Sequence, residues 1–374
     1  VPELLGFRLE KAQSPSRLIS LFVPIASIFL ALVACGVVLL ATGENPIDVY
    51  WAIIKGSLAD RNGVSETFVK MIPLLLTGLG VSVAFRMQLW NIGAEGQLYL
   101  GAIFATGTTL FLLPGAPAIV MIPAMAAAGL IGGALWGLIP GVLRAYFGAN
   151  ETITTLMLNY VAILLTDYLV HEPWRDPGSF GFPGTKQFPD AAWLPRYDTY
   201  RVHIGLLFGL IAAIILWIAL RRTRFGYELS VMGENPRAAS YAGMRTRRTI
   251  LVVMAISGAL AGLAGMSEVA GIGHQLQRNF SPGYGYTAII VAWLGRLNPF
   301  GIILVSFLLA ALLVGGDQLQ ISMGLPSAVA PMLQGAILFF LLGGEALNRY
   351  RIVRNRPQQA EPGSIAAAGG EGRG

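Results

Sequence analysis

The sequence predicts an all-α polytopic membrane protein of about ten transmembrane helices, with both termini on the cytoplasmic side. Three observations predict it. The mean hydropathy is +0.63, and 55% of residues are apolar against 12% charged, far from a soluble globular average. Charges avoid the apolar stretches, so apolar residues collect into runs long enough to cross a bilayer. Arginines collect in the breaks, and Arg221 to Arg248 alone holds seven.

Ten segments fit this reading: 18–41, 66–86, 92–113, 117–142, 151–170, 202–220, 249–270, 283–296, 299–314 and 326–344. Leu18 to Ala41 is too long for a signal-peptide core and lacks a small-x-small cleavage site, so it reads as a retained first span. Segment 283–296 is short, and a re-entrant segment is its alternative. An even number of spans puts both ends on one side. Making that side cytoplasmic places about 18 of the 26 lysines and arginines there and about seven outside. The opposite orientation would translocate 221–248 with all its arginines.

The chain then divides into a polar cytoplasmic lead (1–17), a transmembrane body (18–344) and a cytoplasmic tail (345–374) that reads as largely disordered. The outer side carries one sizeable loop, 171–202, punctuated by Pro and Gly. Its Trp174, Trp193 and Tyr197 suit either a membrane interface or a docking rim.

Composition excludes several classes. A net charge of +6 is not a nucleic-acid signature here, because arginines at span ends follow from membrane orientation; the contact is with lipid. Cys35 is the only cysteine, which excludes an intrachain disulfide and a cysteine-based metal site. His171, His203 and His274 are far apart in sequence and suggest no metal site. No G-x-x-x-x-G-K-[ST] occurs and lysines number four, so the chain has no P-loop for ATP. Nucleophile-elbow and HExxH motifs are also missing, so the chain reads as no enzyme and as binding no cofactor of its own.

Polar residues inside apolar surroundings carry the chemistry. The string Asn91-Ile92-Gly93-Ala94-Glu95-Gly96-Gln97 puts a carboxylate, two amides and two glycines beside hydrocarbon. That is costly unless they face a cavity or protein. Glu95 at a helix start is stabilised by that helix's positive end. Asn150 is a good N-cap, and Thr152, Thr155 and Asn159 fall on one face of the following helix. Such a stripe lines a passage or bonds helices to one another. Gln334 stands mid-span in the last segment. Asn91, Glu95, Gln97, Asn159 and Gln334 are the candidates for a translocation path. Segments 91–104 and 294–307 loosely share a polar break, a glycine and an apolar helix, as interrupted segments on a transport path can.

The arginine-rich stretch holds a short helix. Asn235-Pro236 is a start signal, with Pro where its missing N–H costs nothing, and Gly243 is a natural stop. A capped interfacial helix between two basic clusters has the character of a docking element, although an ordinary amphipathic linker has the same pattern.

Here the chain resembles a family. Arg237-Ala238-Ala239-x-x-x-Gly243 resembles the Glu-Ala-Ala-x-x-x-Gly loop of bacterial ABC importer permeases, with Arg in place of Glu. The preceding Gly233-Glu234-Asn235-Pro236, the string 91–97, the stretch Asn150 to Tyr160, and Gly295-x-x-Asn298-Pro299-x-Gly301 resemble the ribose- and nucleoside-type branch, nucleoside permeases most of all. The resemblance implies a permease subunit of an ATP-driven importer in the inner membrane, passing a nucleoside or else a simple sugar such as a pentose. It implies a heterodimer with a second permease, a cytoplasmic ATPase with two nucleotide-binding halves that uses ATP and Mg, and an extracytoplasmic binding protein. It also implies that loop 228–243 is the coupling helix, with Glu234, Asn235, Pro236, Arg237, Ala238, Ala239, Tyr241 and Gly243 at the ATPase. An ion-driven transporter coupled through Glu95, Glu268 and Asp317 is the reading from another class.

Overall fold

A computed structural model of the chain describes residues 7–11, 17–179, 181–197, 200–326 and 328–354. The first helix, α1 (Arg17–Ala41), is followed by a shorter α2 (Pro46–Leu58) and a long α3 (Arg61–Arg86). A polar turn leads to α4 (Ala94–Gly107), prolonged by a π turn at Thr108–Leu112, and then to α5 (Ala118–Phe147) and α6 (Glu151–His171). The 171–202 loop leads to α7 (Gly205–Arg222), and α8 (Arg224–Glu234) and α9 (Pro236–Tyr241) fill the arginine-rich stretch. Then come α10 (Thr246–Glu268) with a π turn at Val269–Gly273, α11 (Tyr284–Leu294), α12 (Pro299–Ser322) and α13 (Val329–Arg349).

Each of the ten expected segments contains a helix. By length and composition seven helices can cross a membrane: α1, α3, α5, α6, α7, α12, and α10 with its π turn. Segment 283–296 cannot do so as a helix. Its 11 residues make α11 roughly 16 Å long, about half of a hydrocarbon core. The stretch before it, 274–283, is irregular, so this part of the chain is a broken helix rather than a full one.

Two helices went unforeseen. Asn45-Pro46 starts α2 as Asn235-Pro236 starts α9 and Asn298-Pro299 starts α12. In each, the Asn side chain accepts a backbone N–H of the first turn at 3.1–3.2 Å. The signal for α2 was therefore present, but its 13 residues are too few to register as a span. The other is α8, whose buried Leu229 and Met232 lie on one face and pack it against the bundle.

The bundle is built around α3, where every residue from Met71 to Phe85 is buried. A helix apolar all round belongs in the middle of such a protein. Against it packs the close pair α5 and α10. A Cβ on Gly133 or on Gly262 would collide with the backbone of the facing helix. By contrast, α6 presents Ile153, Met157, Tyr160 and Leu164 outward at helical spacing. Within the expected lead and tail, β1 (Phe7–Lys11) pairs antiparallel with β2 (Tyr350–Arg354), which brings these two segments to the same end of the bundle. The remainder of the tail, from 355, lies outside the described residues.

Candidate functional site

The polar string 91–97 is the turn between α3 and α4 and the first residues of α4. The left-handed Gln88 (φ 56°) turns the chain, and the Arg86 guanidinium donates to the Leu297 carbonyl at 2.7 Å. Arg296 and Leu297, in the α11–α12 turn, are also left-handed (φ 53° and 54°). The two segments with similar polar breaks thus lie side by side.

Asn91 is fully buried. Its amide donates to Gln97 Oε1 (3.0 Å) and Ser257 Oγ (2.9 Å), while its Oδ1 accepts from Gly93 N–H and Gln97 Nε2. Asn159, also fully buried, accepts the Gly96 N–H at 2.8 Å and donates to the Ile92 carbonyl at 2.9 Å and to Tyr286 Oη at 3.3 Å. Glu95 Oε2 accepts the Gly285 N–H at 2.7 Å. One carboxylate therefore sits in the first turn of α4 and at the first turn of α11, favourable at both positive ends.

The structure places the translocation-path candidates Asn91, Glu95, Gln97 and Asn159 in the packed interior of the bundle. Each is at most 2% exposed, with its polar atoms spent on neighbouring backbone and side chains. They bind α4, α6 and α10 to one another and hold the break at α11. Ser281, which sequence reasoning missed, completes this cap by accepting from Gly283 N–H (3.2 Å) and Tyr284 N–H (3.3 Å). The Ser281-Pro282-Gly283 triplet before an apolar run was a readable start signal.

Gln334 stands apart from that group. It borders a cavity of about 440 Å³ between α3, α11, α12 and α13. Its Oε1 accepts from Thr287 Oγ1 at 3.0 Å.

The 171–202 loop is tied to the irregular stretch before α11. Thr185 N–H and Phe188 N–H donate to the carbonyls of Leu276 (3.0 Å) and His274 (2.7 Å). The Trp193 ring stacks on His274 at 4.0 Å, and Arg196 Nη2 meets His274 Nε2 at 2.8 Å. Trp193 and Trp174, which packs on Phe111, are therefore partly used inside the fold, while Tyr197 is half exposed. His203 lies 1% exposed beside this cluster, and burial, with Arg196 adding to it, holds its pKa down to about 4. Burial and Arg196 lower that of His274 too. Histidines distant in sequence thus meet, but among the described residues no group of His, Cys, Asp or Glu is placed to hold a metal ion.

On the opposite side, α9 is held by its own caps. Asn235 Oδ1 accepts from Arg237 N–H and Ala238 N–H, both at 3.1 Å, and Gly243 (φ 75°) ends the turn. Ala239 is buried as the anchor. Glu234, Asn235, Pro236, Arg237 and Ala238 are exposed, as are Ser240 to Gly243, with Tyr241 at 93%. Beside α9, between α8 and α10, a cleft of about 690 Å³ is lined by Arg224, Arg245 and Arg248, with Glu228 as its acid.

A multi-span helical bundle with an interrupted segment at its centre and a capped helix projecting from one end is the build of a membrane permease. Comparison with known proteins narrows the class. Residues 63–342 match the family described as branched-chain amino acid transport system / permease component, and the chain belongs to that family. It is 35% identical to a glucose ABC transporter permease protein of Haloferax volcanii, over 94% of both chains. It is 34% identical to a guanosine ABC transporter permease protein of Bacillus subtilis, over 88% of this chain and 95% of that one. With a nucleoside ABC transporter permease protein of Lactococcus lactis it shares 33% identity, over 85% and 90%. The chain is thus the multi-pass membrane permease component of an ABC importer and not itself an enzyme; an ATPase and a substrate-binding protein are its partners.

Proposed function

We propose that the chain is one half of a permease heterodimer that imports a nucleoside, driven by an ATPase with two nucleotide-binding halves that supplies the site for ATP and Mg. The observation that carries the coupling is the self-capped, outward-facing α9. Every hydrogen bond that shapes it is local, so its exposed Arg237, Ala238 and Tyr241 are free to enter a partner's groove. Arg237 and the arginines of the neighbouring cleft make this face basic, so the groove on the ATPase carries carboxylates. ATP binding closes the ATPase halves and pushes α9. Through α8 and α10 that displacement reaches the broken segment and switches access to the passage.

Nucleoside as the solute is supported by the relatives named for guanosine and nucleosides and by the motifs at 91–97, 157–160 and 226–244. A simple sugar is the second reading, favoured by the glucose relative. The outer loop, fastened to 274–277, is the receiving face for the binding protein. Uptake of labelled guanosine and of labelled glucose by vesicles containing the full transporter tests the reading. ATP-dependent guanosine uptake supports it. Uptake of glucose alone replaces nucleoside with sugar, and uptake that survives ATP depletion but fails without an ion gradient overturns the ATP-driven mechanism.

A further inference from the structure

The cavity beside Gln334 holds a set of polar groups that the architecture leaves unused. Gln334 is 6% exposed, and its Nε2 has no hydrogen-bond partner. Whichever way the amide is turned, Thr287 occupies one of its ends and the other remains for the cavity. An unpaired buried amide is costly, so one retained at a cavity wall suits a ligand that pairs with it. Across the cavity the Lys70 ammonium is paired with Asp317 Oδ2. Asp317 is 61% exposed, and its Oδ1 has no protein partner among the described residues. The remaining wall is apolar, from Ile290, Leu313 and Leu338. Beside Gln334, a Cβ on Gly335 would meet nothing within 4 Å.

Each feature narrows the ligand. An ion pair offers a donor and an acceptor side by side with no net charge, which suits hydroxyl groups that donate and accept at once. A phosphorylated solute would meet the free Asp317 oxygen and be repelled, and a cation would compete with Lys70. Apolar walls accept the C–H face of a ring. A volume of about 440 Å³ is within the range of small-molecule sites.

We propose that this cavity is a stopping point on the passage that reads the adjacent hydroxyls of a neutral sugar ring. Gln334 and Asp317 make the polar contacts, and Thr287 holds the Gln334 amide in place. The inference rests on the permease reading. The chemistry is common to the ribose of a nucleoside and to a free hexose, so the test separates the two sources.

Uptake is measured in vesicles carrying the full transporter, for guanosine against 2′-deoxyguanosine and for glucose against 2-deoxyglucose. Each variant is compared with the wild type on the same solute, which cancels the selectivity of the binding protein. Gln334→Leu should lower uptake of the diol-bearing solute roughly tenfold and that of its deoxy analogue less than about twofold, the scale of one lost solute hydrogen bond. Asp317→Asn, at an exposed position that does not threaten folding, should shift the same ratio in the same direction by roughly threefold. Gly335→Phe, which fills the space, should lower both solutes alike. An unchanged ratio for Asp317→Asn together with an equal loss or no loss of both solutes for Gln334→Leu overturns the inference and leaves the permease reading standing. A wild-type transporter that moves none of the four solutes overturns both.

Discussion

Two polar stretches of similar composition do opposite work in this chain. The stretch around α9 makes its hydrogen bonds within a few residues, from Asn235 to Arg237 and Ala238 and from Ser240 to Pro236, and leaves most side chains exposed. The string 91–97 reaches far along the chain, from Asn91 to Ser257, Gly96 to Asn159 and Glu95 to Gly285, and is buried. The difference teaches what each is for. A helix that satisfies itself can be offered to another protein, whereas groups satisfied only by distant elements hold those elements in place.

The comparison can be broken first at the frame that both stretches hang on. Gly262→Leu drives a side chain into the backbone of α5, and no rotamer avoids it. The expected cost is about 3 kcal/mol or more, seen as loss of monodisperse protein on size-exclusion chromatography. Normal yield and elution would mean that α5 and α10 do not pack so closely.

The local half is tested by Arg237→Glu. Reversing an exposed charge should leave the chain folded and lower the co-purified ATPase roughly tenfold. Equal recovery would place the contact elsewhere.

The long-range half is tested at Glu95. Glu95→Gln keeps an acceptor for Gly285 N–H, while Glu95→Leu removes it and leaves a buried N–H unpaired, at about 2 kcal/mol. The melting temperature of the purified chain should therefore fall clearly more for Leu than for Gln. Equal values would show that the bond to α11 contributes nothing.

The last test concerns the 171–202 loop and the residue that follows it. His203 has a folded pKa of about 4, below its unfolded value near 6.5. Between these values the unfolded chain binds a proton that the folded chain refuses, so stability falls as pH drops through that window. The loss is about 2 kcal/mol at pH 5. The wild type should lose more melting temperature between pH 7.5 and 5 than His203→Phe does; identical losses would remove His203 from the account.

The same distinction governs what the sequence discloses. Caps at Asn150, Asn235 and Asn298 and the stop at Gly243 are written within four residues, so their helices are legible. Apolar runs place the long helices because burial in lipid needs about 20 of them. The break at α11 is half legible, since its shortness shows but its holders do not. Glu95 looks like the cap of its own helix alone, because nothing near it announces Gly285, 190 residues on. Asn159 and Asn91 read equally well as passage or glue for the same reason: only the fold says which way an amide turns. Gln334 was legible as a mid-span amide, and its neighbour Thr287 was not.

The most direct measurement is purification of the tagged chain from its native membrane, in a detergent that preserves ABC complexes, followed by an ATPase assay with solute-loaded binding protein. The account predicts a co-eluting ATPase and second permease, turnover raised by the loaded binding protein, and loss of the ATPase with Arg237→Glu. A chain that elutes alone and without ATPase activity would contradict it.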